Sequence, residues 1–285
     1  MTFRRVGEQR DILGESPVWD AQAQALFWVD IRRPALRRLD PDGTVQTRAM
    51  PDLVGALALA GYGRLLVAVG AEVAVYDWAT GGWDTVAALP DRPPGHRFND
   101  GRCDRQGRFW VGTMHNLTRA PEGTLFRLDC ATLTPVRTSI CIPNSLAWSP
   151  DGSTMYFADS LDHTIEACPY ADGIPGASRD LAHIDPPGFP DGATVDADGY
   201  LWSAQFNAGR LVRYAPDGRV DQIVPTPVGR PTSCGFGGPA LQTLYVTTTS
   251  QAMSDEELRD NPLAGALLAF EPGVPGLPEP MWQPA

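Results

Sequence analysis

The chain has 285 residues, of which 43% are hydrophobic and 20% charged, and its formal net charge is −11. That length fits one large all-β domain or two ordinary ones, and the acidic balance argues against nucleic acid or an acidic membrane as partner. Neutral or cationic small molecules and metal ions remain as ligands.

The N-terminal stretch MTFRRVGEQRDILGESPV has no apolar run, so no signal peptide is expected. No stretch approaches the roughly 18 apolar residues of a membrane span. Five cysteines (Cys103, Cys130, Cys141, Cys168, Cys234) lie far apart without a CxxC pair, which fits reduced thiols and a cytoplasmic location. Six similar segments then follow in order. They are ESPVWDAQAQALFWVDI, VGALALAGYGRLLVAVG, NDGRCDRQGRFWVGTM, NSLAWSPDGSTMYFADS, DGATVDADGYLWSAQF and TSCGFGGPALQTLYVTTT, which start at Glu15, Val54, Asn99, Asn144, Asp191 and Thr232. Each pairs a short strand of small and apolar residues with a turn rich in Gly, Asp or Pro and a second, β-branched and aromatic strand. A third strand follows each pair (ALRRLDP, VAVYDW, TLFRLD, TIEACPY, LVRYAP, ALLAFEP), and the first five units also show a fourth (VQTRAM, TVAALP, PVRTSICI, RDLAHI, VDQIVP).

Four strands per unit of about 40–50 residues predict a β-propeller, and six units predict six blades of four antiparallel strands in a single domain over 1–285. The last unit lacks its fourth strand. The proline-rich tail PGVPGLPEPMWQPA suits an edge or coil, so TFRRVGEQ at the N-terminus is expected to close the ring. One short helix is expected in MSDEELRDNP, capped by Ser254 and Glu257 and ended by Pro262. Trp19, Trp28, Trp110, Trp148 and Trp202 recur on the inner strands and read as packing between blades.

Superimposed repeats place their first residues at equivalent points around the central channel. The inner turns DRQG, SPDG and DADG fall five to eight residues later, so Asp191 is a channel-mouth residue and not a turn residue. Glu15, Asn99, Asn144 and Asp191 would then face one axis. Two carboxylates and two carboxamides converging in a low-dielectric channel call for a partner. One divalent cation is expected there: Ca2+, Fe2+, Mn2+ or Mg2+, with Zn2+ less suited to all-oxygen ligands.

GESPVWD, RFNDGRCDRQGRFWVGTMH, PNSLAWSPDG, PDGATVDADGYLW and SCGFGGPALQTLYVTT resemble the SMP-30/gluconolactonase/regucalcin-like family from about Gly14 to Phe270. The closing segment MSDEELRDNPLAGALLAF is similar to bacterial sugar-acid lactonases. The resemblance implies metal-dependent hydrolysis of a small-molecule sugar lactone, by a monomer or weak homo-oligomer. It implies Glu15, Asn144 and Asp191 as metal ligands, and Arg97 and Asn99 as substrate contacts with Asp100 beside them. Asp191 is expected to serve also as general base. The loop after GTM departs from the acidic pattern of regucalcin-like members, and there His115 is expected to meet the substrate.

Two other functions suit the same residues: a non-catalytic, calcium-binding regucalcin-like propeller, and an aryl-ester or phosphotriester hydrolase. Serine nucleophiles are disfavoured, because no GxSxG elbow occurs and Ser16, Ser145 and Ser233 lack a nearby His to activate them; the four histidines show no metal-ligand spacing. The loop NLTRAPE at 116–122 is expected to border the mouth.

Overall fold

In the computed structural model, the structure describes residues 2–89 and 92–284. Met1 and Ala285, the ends of the expected domain, lie outside the described residues, as does Pro90 at the end of the expected strand TVAALP.

Strand β1 (Arg4–Val6) precedes the first complete sheet, which holds β2 (Gly14–Asp20), β3 (Ala25–Asp30), β4 (Ala35–Leu39) and β5 (Val45–Ala49). The second holds β6 (Val54–Leu59), β7 (Arg64–Val69), β8 (Glu72–Asp77) and β9 (Trp83–Ala88). The third holds β10 (His96–Cys103), β11 (Phe109–His115), β12 (Gly123–Asp129) and β13 (Thr132–Ile140). In the fourth, β14 (Pro143–Trp148), β15 (Thr154–Asp159) and β16 (Thr164–Ala171) are followed by β17 (Ile174–Pro175) and β18 (Arg179–His183). Both of these pair with β16, so this blade has five strands where four were expected. The fifth holds β19 (Phe189–Val195), β20 (Leu201–Phe206), β21 (Arg210–Tyr214) and β22 (Val220–Pro225). The sixth is built from β23 (Pro231–Gly237), β24 (Thr243–Thr248) and β25 (Leu267–Phe270), and its outer strand is β1. All these pairings are antiparallel, with Arg4 opposite Ala269 and Val6 opposite Leu267. The first strands of successive sheets pack against one another in a closed ring, β2 meeting both β6 and β23. The molecule is a six-bladed β-propeller whose N- and C-terminal strands share one sheet.

Each inner sheet is covered on both faces, which explains why its strands read as nearly unbroken apolar runs. The two-residue period then divides them. Leu57, Leu59, Leu65, Val67 and Val69 pack with Phe27 and Val29 of the first blade, whereas Ala56, Ala58, Leu66 and Ala68 pack with Phe98 and Phe109 of the third. Trp28, Trp110, Trp148 and Trp202 are fully buried between blades.

The single α-helix among the described residues, α1 (Asp255–Asp260), has Ser254 as N-cap in a reciprocal capping box with Glu257. The C-terminal tail adds no blade strand. It crosses the channel end opposite the mouth: Pro275 O accepts from Ala197 N at 3.0 Å, Trp282 N donates to Leu59 O at 2.7 Å, and Gln283 N donates to Gly107 O at 2.9 Å.

Candidate functional site at the channel mouth

A register shift interrupts the pairing of the first strand in every blade, directly at or beside the channel-mouth residue. A bulge of this kind bends a strand end and re-aims a side chain. Ser16 and Ser145, which follow Glu15 and Asn144, take left-handed backbone angles of φ 50 and 59. Gly192 follows Asp191 where a Cβ would lie 2.1 Å from Ser233 Oγ, so the fifth and sixth blades approach too closely for any side chain. Local backbone irregularity thus turns Glu15, Asn99, Asn144 and Asp191 into one open cavity of about 300 Å³. Val54 and Thr232, at the same register in the second and sixth blades, do not line it. Thr232 instead donates its hydroxyl to Gly14 O at 2.6 Å.

Hydrogen bonds lock the floor. Arg97 Nη1 donates to Asn99 Oδ1 at 2.6 Å and to Phe98 O at 2.9 Å. Asn99 Nδ2 donates to Asn144 Oδ1 at 3.1 Å and to Pro143 O at 2.9 Å. Asn144 Nδ2 donates to Ser160 Oγ at 2.8 Å, and that hydroxyl donates onward to Pro190 O at 2.6 Å. Arg97 Nε donates to Asn116 Oδ1 at 3.0 Å, which ties the expected 116–122 loop to the floor.

Burial dominates the electrostatics. It raises the Glu15 carboxyl well above the ordinary range, and the negative charges of Asp191 and Asp100 add to the rise. Asp191 is likewise raised well above its ordinary value by burial and by Asp100, with Arg97 acting in the opposite sense. Burial pushes the Arg97 guanidinium down to about 10, assisted by the positive charge of Arg32. The two carboxyls therefore hold a proton far more readily than exposed ones.

This geometry corrects the expectation of a bound divalent cation. Among the described residues, no group of three or more His, Cys, Asp or Glu side chains is placed to hold a metal ion. The residues present do not fit the Ca2+, Fe2+, Mn2+, Mg2+ or Zn2+ site expected of Glu15, Asn144 and Asp191. Both carboxamide oxygens already accept hydrogen bonds, Asn99 Oδ1 from Arg97 and Asn144 Oδ1 from Asn99. The nearby third carboxylate, Asp100, accepts from Leu146 N at 2.9 Å and does not line the cavity.

His115 also stays off the cavity wall. Its neighbours in β11 and the following loop, Met114 and Asn116, line the cavity, and strand alternation points His115 the other way. Its Nδ1 accepts from Thr118 N at 3.0 Å, and its ring meets His96 edge-on at 5.2 Å. No tryptophan lines the cavity; its aromatic wall is Phe189 and Phe206.

Sequence reasoning missed Arg32, Asn207, Arg230 and Gln251, which line the cavity; Asn116 and Arg119, from the loop expected to border the mouth, line it as well. A signal for most of them existed. Arg32, Asn116, Asn207 and Gln251 each sit one to three residues past the second strand of their blade.

The fold and this acid–amide–arginine cavity define a six-bladed propeller with a candidate site at one mouth of its channel. The chain belongs to the SMP-30/gluconolactonase/LRE-like family: residues 13–250 match its defining region. It is similar to a 6-deoxy-6-sulfogluconolactonase of Pseudomonas putida, with 38% identity over 286 residues covering 99% of this chain and 98% of that one. An L-arabinolactonase of Azospirillum brasilense is 37% identical, covering 93% and 90%. The crystal structure of a regucalcin from Agrobacterium tumefaciens, described as a calcium-binding protein, superimposes with a TM-score of 0.95 at 30% identity, covering 99% and 97%.

Proposed function

We propose that this chain hydrolyses the ring ester of a small polyhydroxylated lactone to the open hydroxy acid. The observation that carries this reading is the meeting of Asp191, Glu15 and Arg97 in one cavity, where a carboxyl with a raised proton affinity stands beside a buried cation. The two lactonases among the relatives support the substrate class.

Water attacks the lactone carbonyl while Asp191 takes up its proton as general base. Arg97, whose Nη2 amino group has no hydrogen-bond partner among the described residues, donates to the carbonyl oxygen as negative charge develops on it. Breaking of the ring C–O bond follows, and the proton held by Asp191 passes to the departing ring oxygen. Asn99 and Asn144, fixed by their mutual hydrogen bond, orient the substrate hydroxyls. A serine nucleophile finds no support, since Ser145 Oγ donates to Asp191 O at 2.6 Å and Ser160 Oγ to Pro190 O.

The second reading is a non-catalytic, regucalcin-like propeller, and the agreement of the whole backbone with the regucalcin structure favours it. A pH-stat assay with gluconolactone, xylonolactone and arabinonolactone separates the two. Turnover above the spontaneous rate, lost on removing Asp191, supports hydrolysis; rates equal to background leave the binding propeller.

A further inference from the structure

The cavity carries more positive charge than the proposed hydrolysis uses. Arg32, Arg119 and Arg230 join Arg97 on its wall, contributed by loops of the first, third and sixth blades, in a chain whose net charge is −11. Among the described residues none of the four forms an ion pair with a carboxylate, although most other buried or half-buried arginines do, such as Arg37 with Asp11 and Arg213 with Asp196. Arg32 is half-buried, and its guanidinium is pushed down first by burial and then by the positive charge of Arg119. The carboxyls of the same wall, Glu15 and Asp191, make no ion pair with these guanidiniums among the described residues, so the repulsion is only partly offset and an anion entering the site reduces it.

Two of these arginines are also positioned. Arg32 Nε donates to Gln251 Oε1 at 2.8 Å, and Arg230 Nη1 donates to Gln251 O at 3.0 Å, so one residue braces two guanidiniums. Arg230 Nε donates to Asn207 Oδ1 at 3.1 Å. These contacts leave both terminal amino groups of Arg32 and Nη2 of Arg230 without a partner among the described residues. Guanidinium forks held in this way match the oxygens of a compact oxyanion.

We infer that Arg32, Arg119 and Arg230 form an anion subsite beside the reacting centre, which selects a substrate bearing a tetrahedral oxyanion, a sulfonate or a phosphate monoester, on its exocyclic carbon. The inference rests on the lactone reading for the identity of the ring, and its test is chosen to be independent of turnover. Calorimetry measures binding of gluconate, 6-phosphogluconate and the matching 6-sulfonate to the whole chain, with lactone turnover followed in parallel. All three carry the gluconate carboxylate, so the affinity ratio reads the added oxyanion: either 6-substituted ligand should bind about 10–100-fold more tightly than gluconate, as expected for charge-assisted hydrogen bonds. The tighter of the two names the substituent. Arg32→Gln and Arg119→Gln replace a half-buried and an exposed side chain, and each should remove most of that affinity ratio, whatever its effect on gluconate itself. Anion preference without lactone turnover supports the subsite and overturns hydrolysis. Turnover of neutral lactones with equal affinity for all three ligands overturns the subsite and keeps hydrolysis. A preference that survives both substitutions also overturns the subsite.

Discussion

Asp191 separates a chemical role from a structural one. Asp191→Asn retains the shape and a carbonyl acceptor but takes up no proton. If Asp191 is the base, kcat for lactone hydrolysis should fall about 10²–10⁴-fold with little change in KM. Near-native turnover would remove Asp191 from the chemistry. The same substitution has a stability signature with a definite sign. Because folding raises this carboxyl's pKa, its contribution to stability is fully present below the unfolded value and is lost as pH rises through the raised folded value. The Asn variant lacks that loss, so thermal melts across that window should fall less steeply with pH than those of the parent. Asn99 was legible from register, and Arg97 only from the resemblance of RFND to the family. Arg32 and Arg230 were not, and Arg119 only as part of the loop at 116–122, since these segments lie far apart in sequence and meet only when the ring closes.

At the scale of elements, the inner turns do more than reverse the chain. Asp104 of DRQG and Asp196 of DADG are fully buried. Asp196 accepts from the backbone of Asp198 and Tyr200 at 3.0 Å each, and also from Trp202 Nε1 at 2.9 Å and Arg213 Nε at 2.8 Å. Asp104 likewise caps its turn and pairs with Arg108 and the Tyr170 hydroxyl. One acid thus secures turn, second strand and third strand together, and removing it leaves a buried cation short of a partner. Asp196→Ala should cost about 3–5 kcal/mol, whereas Asp217→Ala, in the exposed turn of the same blade, should stay within about 0.5 kcal/mol. Equal denaturation midpoints for the two variants would refute the distinction. Asp196 opens its turn three residues before the glycine, whereas Asp217 directly precedes its own, and only the first of these places is covered by packed strand ends.

For the whole molecule, closure is the decisive property. β1 completes the sixth blade through three paired residues, and its neighbour Phe3 packs against Phe270 with ring centroids 4.6 Å apart. Deleting residues 1–8 therefore opens an edge in the ring and exposes apolar surface of the sixth blade. We expect a loss on the order of 2–5 kcal/mol, seen as one cooperative transition at lower temperature. A melting temperature equal to that of the full chain would show that the sixth blade stands on three strands. The tail that crosses the far end of the channel belongs to the same scale. Glu279 lies 3.5 Å from Arg102, which itself donates to Ala193 O at 2.7 Å, so the strap reaches the channel wall between the third and fifth blades.

The repeat by itself determined the propeller, the number of blades, the N-terminal closing strand and the short capped helix. Each follows from local alternation, turn chemistry and a count of units, which need no knowledge of distant contacts. Register also brought Glu15, Asn99, Asn144 and Asp191 to one mouth, because equivalent residues of a repeat occupy equivalent places. Tertiary structure decided what those residues do there. Hydrogen bonds, one within the third blade and one from the third to the fourth, occupied the two carboxamide oxygens, a bulge turned Asp100 toward Leu146 N, and strand alternation directed His115 away from the cavity. Three loops from separate blades then set unpaired arginines around the site. Such choices depend on side-chain direction and on which partner arrives first within about 3 Å, and neither is written in the spacing of a repeat.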